Sequence, residues 1–314
     1  MVDRMRDAIA LRGLTKHYGE LRAVDGISLD VREGEVFGFL GPNGAGKTTT
    51  IRMLTGLTRP TAGHAEVLGY DLAHELSSIK KRTGVVPESS NLYAELTALG
   101  NLLFAAQLYG VPRRERIARC EELLDRFGLS QKRDASFAKL SRGMKRALTV
   151  AAALVHRPSL LFLDEPTTGL DVMAARRLRA MLANLRDQGV TIFLTTHYLE
   201  EAERLCDRIA LIVQGQLVAL DTVDGLRGMV ANEPAVEVVI DQGRGHTETR
   251  RFLGGDVGSA MEEALAQTEP IRRRILSVSS ARPTLEEVFV QLTGLSAEVM
   301  LREKGGQGRL NAKG

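Results

Sequence analysis

Hydrophobic and polar positions divide the chain into blocks of different period. Between Ala8 and Leu40 apolar residues alternate with polar ones in the β-branched runs "AIALRGLTKHYG" and "AVDGISLDVREGE", and the unbroken "VFGFL" follows. Alternation punctuated by Gly26 and "EGE" predicts antiparallel strands, and the unbroken run predicts a buried strand leading into a glycine-rich stretch. After Thr50 the spacing turns helical in "TIRMLTGL". From about Thr97 to His156 it stays helical through "TALGNLLFAAQLYG", "RRERIARCEELLDRFGL" and "RGMKRALTVAAALVH", which predicts a helical insert. Apolar runs return as "SLLFLDEP", "VTIFLTTH" and "RIALIVQGQLVAL", with a helix over "AARRLRAMLANLRDQG" between two of them. Strands and helices in that alternation predict a parallel sheet.

Near Asn232 to Pro234 this rhythm stops. A smaller mixed segment is predicted next: strand "AVEVVI", helix "SAMEEALAQ", strand "RRILSVSS" and helix "TLEEVFVQLTG", the last with Thr284 and Glu287 as a capping box. The polar, Gly-rich "EKGGQGRLNAKG" reads as a flexible tail, and no internal repeat is visible.

Composition narrows the function classes. With 314 residues, 44% of them hydrophobic, the chain can bury a sizeable core. Lys and Arg (42) nearly balance Asp and Glu (39), so the charge gives no support to a nucleic-acid partner, and none is expected. Cys120 and Cys206 lack any metal or disulfide spacing, which fits a reducing cytoplasm. The opening "MVDRMRDAIALRG" lacks a signal peptide's apolar centre, and the longest apolar runs fall short of the roughly 20 residues needed to cross a bilayer. Any membrane crossing therefore belongs to another chain.

Four stretches carry chemistry. "GPNGAGKTT", Gly41 to Thr49, matches the phosphate-loop pattern through Gly41, Gly46, Lys47 and Thr48, and it stands between a strand and a helix as that motif requires. Its glycines let backbone N–H groups surround phosphate, Lys47 adds a mobile positive charge, and the Thr48 hydroxyl suits Mg²⁺. "LLFLDEP" sets Asp164 and Glu165 at the end of a buried strand; Asp164 is a candidate Mg²⁺ ligand and Glu165 a base or orienter for attacking water, against a solvated acidic turn as the alternative. "VTIFLTTH" ends in His197, either a donor to phosphate or simply a helix-start residue. A second helix start, "LSRGMKRALT", offers Ser141 as a cap and a second place for an anion.

In their order and intervals, "GPNGAGKTT", "LSRGMKR", "LLFLDEPTTGLD" and "TTH" resemble the ATP-binding subunit of an ATP-binding cassette (ABC) transporter over roughly residues 8 to 230. The resemblance implies an α/β cassette of the P-loop NTPase kind, with an antiparallel β subdomain, a parallel-sheet core and a helical subdomain at about 90–157. It places a small C-terminal α+β domain at 231–295 and a flexible tail at 296–314. ATP with Mg²⁺ would be bound by Tyr18, stacked on adenine, by Gly41, Pro42, Asn43, Gly44, Ala45, Gly46, Lys47, Thr48 and Thr49, and by Glu88, Asp164, Glu165 and His197. The resemblance further implies a head-to-tail homodimer in which Ser141 and Gly143 contact the ATP held by the partner, Asp171 lying in the loop that links the two sites. Glu88 replaces the family's usual glutamine, and Arg142 and Met144 replace a glycine and a glutamine of the commoner "LSGGQ".

The expected function is therefore an ATPase on the inner face of the cell membrane, peripheral through separate permease subunits, exporting a drug, antibiotic, lipid or polysaccharide. An importer cassette, a soluble cassette ATPase acting on ribosomes or DNA, and a small-molecule kinase are the alternatives. The kinase leaves "LSRGMKR" and "TTGLD" without a role.

Overall fold

The computed structural model describes residues 7–230, 235–243, 246–254, 256–268, 274–281, 283–296 and 298–301. The expected tail "EKGGQGRLNAKG" lies outside them, as do Asn232 to Pro234. The chain divides into two compact units, one of residues up to Thr222 together with Glu298 onward, the other Val223–Ala297.

The first unit begins with β1 (Asp7–Tyr18) and β2 (Leu21–Arg32), paired antiparallel. The alternation in "GISLDV" has its expected consequence: Ile27, Leu29 and Val31 point inward and are buried, while Ser28 is exposed. Next come β3 (Val36–Leu40), α1 (Lys47–Leu54), β4 (Ala62–Val67), β5 (Tyr70–Asp71), α2 (Leu76–Arg82) and β6 (Thr83–Val86). The order β2-β1-β4-β5 closes the antiparallel sheet.

Helices α3 (Ala98–Leu108), α4 (Arg113–Arg126) and α5 (Arg142–Ala153) form the insert. Then β7 (Leu160–Asp164), α6 (Val172–Asp187), β8 (Thr191–Thr196), α7 (Leu199–Leu205), β9 (Arg208–Val213) and β10 (Gln216–Asp221) complete a six-stranded sheet in the order β10-β9-β3-β8-β7-β6. Every pair in it is parallel except β9 with β10. All residues of β3, β7 and β8 are buried, as strands covered on both faces must be. Phe37, Phe162 and Phe193 pack side by side across β3, β7 and β8, with ring centroids 5.6 and 5.7 Å apart. Burying each contributes a few kcal/mol, so these short strands hold a rigid frame under the loops at their ends.

The second unit comprises α8 (Val223–Gly228), β11 (Ala235–Gly243), β12 (His246–Leu253), α9 (Val257–Thr268), β13 (Ile275–Ala281) and α10 (Leu285–Thr293). Its sheet runs β12-β11-β13, with Val236, Val238, Ile240 and Phe252 packed on Ala260 and Ala264 of α9. Helix α8 groups with these later residues because Arg227 Nε donates to the Pro283 carbonyl at 2.8 Å. The expected capping box on α10 forms between Thr284 and Glu287. A short helix, α11 (Glu298–Leu301), follows. Among the described residues no helix is long and apolar enough to cross a membrane.

Candidate functional site

In the parallel register Leu40 lies opposite Thr196, and Asp164 opposite Thr195. The ends of β3, β7 and β8 therefore meet at one sheet edge, where ligands of open α/β sheets bind. From β3 the chain turns through Gly41-Pro42-Asn43-Gly44-Ala45-Gly46 into α1. A Cβ on Gly41 would lie 2.1 Å from the Ile212 carbonyl oxygen, and one on Gly46, whose φ is +106°, 2.4 Å from that of Ala23. Only glycine fits these two positions. No side chain caps α1, whose N-terminus points its dipole's positive end at this loop.

Lys47 is buried and curls back over the loop, donating to the carbonyls of Gly41 at 2.6 Å and Pro42 at 3.3 Å. Its Nζ also lies 3.2 Å from Glu165 Oε1, a buried ion pair. Glu165 Oε2 accepts from His197 Nδ1 at 2.8 Å. An ionised carboxylate only accepts, so the hydrogen sits on Nδ1. Burial alone pushes the Glu165 carboxyl up; the His197 hydrogen bond and the Lys47 charge outweigh it and hold the group below its ordinary range.

Glu165 also adopts φ +46°, the left-handed region that costs a non-glycine residue about 1 kcal/mol. Its N–H is fixed by both the carbonyl and the hydroxyl of Thr195, each at 3.1 Å. The same Thr195 hydroxyl donates to Asp164 Oδ1 at 2.6 Å, and Thr48 Oγ1 reaches that oxygen at 3.3 Å. Thr48 and Asp164 thus set two hard oxygen donors together. Among the described residues no three His, Cys, Asp or Glu side chains form a full metal cage. Such a sparse set fits a small divalent ion that takes its other ligands from water and phosphate.

A cleft of about 480 Å³ runs from Tyr18 past Asn43 and Gly44 to Lys47, Thr48, Thr49 and Glu165. Tyr18 is 47% exposed there, its ring face met by Lys16 Nζ 5.0 Å from the centroid. The expected residues of the glycine loop, Asp164, Glu165 and His197 are therefore assembled in one place. Glu88 is not among the residues lining this cleft; it is exposed on the loop after β6.

Ser141, Gly143 and Asp171 lie elsewhere, on a separate cleft of about 210 Å³ between α5 and α6. Ser141 and Asp171 each cap their own helix, accepting from Met144 N at 3.3 Å and Ala174 N at 2.8 Å. Gly143 faces Ala174, whose Cβ a Gly143 Cβ would meet at 2.9 Å. Arg142 is exposed, and its guanidinium lies against Gly169, where a Cβ would be 2.3 Å from Cζ.

Two contributors escaped the sequence reading. Thr195 carried a signal, a hydroxyl at the end of an otherwise apolar run beside the Asp164 strand. Arg146 carried another, a cation four residues before Val150 on the buried side of α5.

Comparison with known proteins agrees with this geometry. Residues 24–168 match the family described as ABC transporter. The daunorubicin/doxorubicin resistance ATP-binding protein DrrA of Streptomyces peucetius is 37% identical over 310 residues, 93% of this chain and 94% of that one. The Nod factor export ATP-binding protein I of Ralstonia nicotianae is 39% identical, over 91% and 94% of the two chains. A solved structure of an ATP binding subunit of an ABC transporter superposes with TM-score 0.65 at 32% identity, covering 71% of this chain and 92% of that one.

Proposed function

The chain belongs to the ABC transporter family as one of its ATPases, and from that premise we propose that it powers export through a separate membrane-spanning permease, with a drug, antibiotic, lipid or polysaccharide as cargo. The carrying observation for the chemistry is the Lys47, Glu165 and His197 cluster beside the glycine loop. For export it is the resistance and export proteins matched along nine-tenths of the chain.

In this reading the 41–49 loop surrounds the β- and γ-phosphates of ATP, and Lys47 leaves its loop carbonyls to meet them. Thr48 and Asp164, with Glu88 as the third expected ligand, would hold Mg²⁺, which when bound offsets phosphate charge. Glu165 orients the attacking water and takes its proton. The depressed carboxyl keeps Glu165 ionised for this. His197 holds Glu165 and senses the γ-phosphate. Tyr18 stacks on adenine.

Ser141 and Gly143 serve the ATP of a second copy in a head-to-tail homodimer, next to the Asp171 loop. Their separation from Lys47 into another cleft supports this. ATP then favours the closed pair, and hydrolysis removes that preference. The protein sits on the cytoplasmic face of the membrane through its permease. The test is Glu165→Gln: retained ATP, lost turnover and a stabilised dimer are expected, and normal hydrolysis would remove Glu165 from its role. Co-purification with a polytopic membrane protein tests the partner.

A further inference from the structure

Arg146 has no role in the chemistry above, yet its guanidinium is buried and every nitrogen is engaged. Nε donates to the Pro166 carbonyl at 2.8 Å and Nη2 to that of Asp164 at 3.0 Å. Nη1 donates to the carbonyls of Pro87 at 2.5 Å and Glu88 at 3.3 Å. All four acceptors are backbone oxygens, so this is a cation used as a fork of donors. Burial lowers its pKa to about 10 against the pull of Asp164, Glu88 and Glu165, and it stays charged at neutral pH.

The acceptors are informative by position. Asp164 and Pro166 flank Glu165, so the fork grips the peptide on either side of the residue whose backbone is left-handed. Such a conformation persists only where its surroundings over-determine it. The third nitrogen grips the loop that carries Glu88. The helix presenting all three is α5, whose first turn holds Ser141 and Gly143.

We propose that Arg146 is a positioning residue that holds Glu165 in its catalytic conformation and ties that conformation to α5 and to the Glu88 loop. The inference rests on the role proposed for Glu165. A shift of α5, whose first turn meets the partner's ATP in that reading, is then passed by one rigid guanidinium to the turn that aims the carboxylate. Nucleotide affinity, which comes from the 41–49 loop, is left alone.

The test uses the full chain with Arg146→Met and Arg146→Lys, measuring equilibrium ATP binding, steady-state kcat and KM, and amide exchange across 164–168. Lysine keeps the charge, but a single ammonium cannot span carbonyls on two loops. Both variants are expected to lose about 10- to 100-fold in kcat while ATP affinity stays within about threefold, since misplacement of a reacting group affects the chemical step. The Glu165 amide should exchange faster. Arg146→Lys carries the test if the methionine variant does not fold. Parental kcat in a folded variant, or kcat and ATP affinity falling together, overturns the inference. Glu165→Gln run alongside separates the two readings: if it hydrolyses ATP normally, the Glu165 role fails first, whereas an inactive Glu165→Gln beside a fully active Arg146→Lys sinks the positioning role alone.

Discussion

Two helix starts in this chain look alike in sequence and differ in what surrounds them. At α1 the cap is Gly46, no side chain answers the first amides, and a buried lysine and a buried carboxylate stand beside them. At α5 the cap is Ser141, whose own hydroxyl satisfies an amide, and the neighbours are Asp171, Ala174 and an arginine lying on Gly169. The first carries both a countercharge for phosphate and a group that can act on water. The second has no such buried pair: its serine hydroxyl and the Asp171 carboxylate each accept from a helix amide. A helix N-terminus attracts anions in either case, but chemistry needs the rest of the set.

The largest expected effects break the first region. Glu165→Gln should lower turnover by about a hundredfold or more while ATP remains bound, measured as single-turnover hydrolysis against nucleotide retention. Lys47→Ala should weaken ATP binding by about tenfold or more, as loss of a charge-assisted contact to phosphate requires; unchanged affinity in an equilibrium titration would count against the loop.

Smaller effects sharpen the contrast. The Glu165 carboxyl is depressed on folding, so its stabilisation is present above the ordinary value of 4.5 and fades as pH falls through the folded value. The parent's thermal midpoint should therefore drop more steeply below that pH than the midpoint of Glu165→Gln. Arg142→Gly, at the second region, should leave monomer nucleotide affinity unchanged and alter only ATP-driven dimerisation, followed by light scattering. A change in monomer affinity would join regions that lie in separate clefts.

Much of this was legible in the chain. "VFGFL", "SLLFL" and "VTIFLTT" announce buried parallel strands because both faces of each must be apolar, and the residues at their ends then fall together by register. β12 was not legible: "HTETRRFL" is an edge strand in which Phe252 is the buried side chain among mostly exposed polar ones, so it lacks the alternation that marks a half-buried strand. Arg146 and Thr195 were missed for a different reason. Their partners lie 18 and 31 residues away, for Asp164 O and Asp164 Oδ1 respectively, and no local pattern reports such contacts. The position of Arg142 on Gly169 was likewise beyond sequence spacing, since it depends on how α5 meets the turn after β7.

The most direct measurement of a shared site mixes Ser141→Ala subunits with Lys47→Ala subunits and follows ATP hydrolysis. Each variant alone should be impaired, because both of its sites lack one element. In a mixed dimer both defects fall on one site and the other is intact, so a one-to-one mixture should regain about a quarter of the parental sites. Hydrolysis rising above both parents is the expected result. Activity no greater than the mean of the two parents would place Ser141 and Lys47 in the service of the same chain's ATP and contradict the composite site.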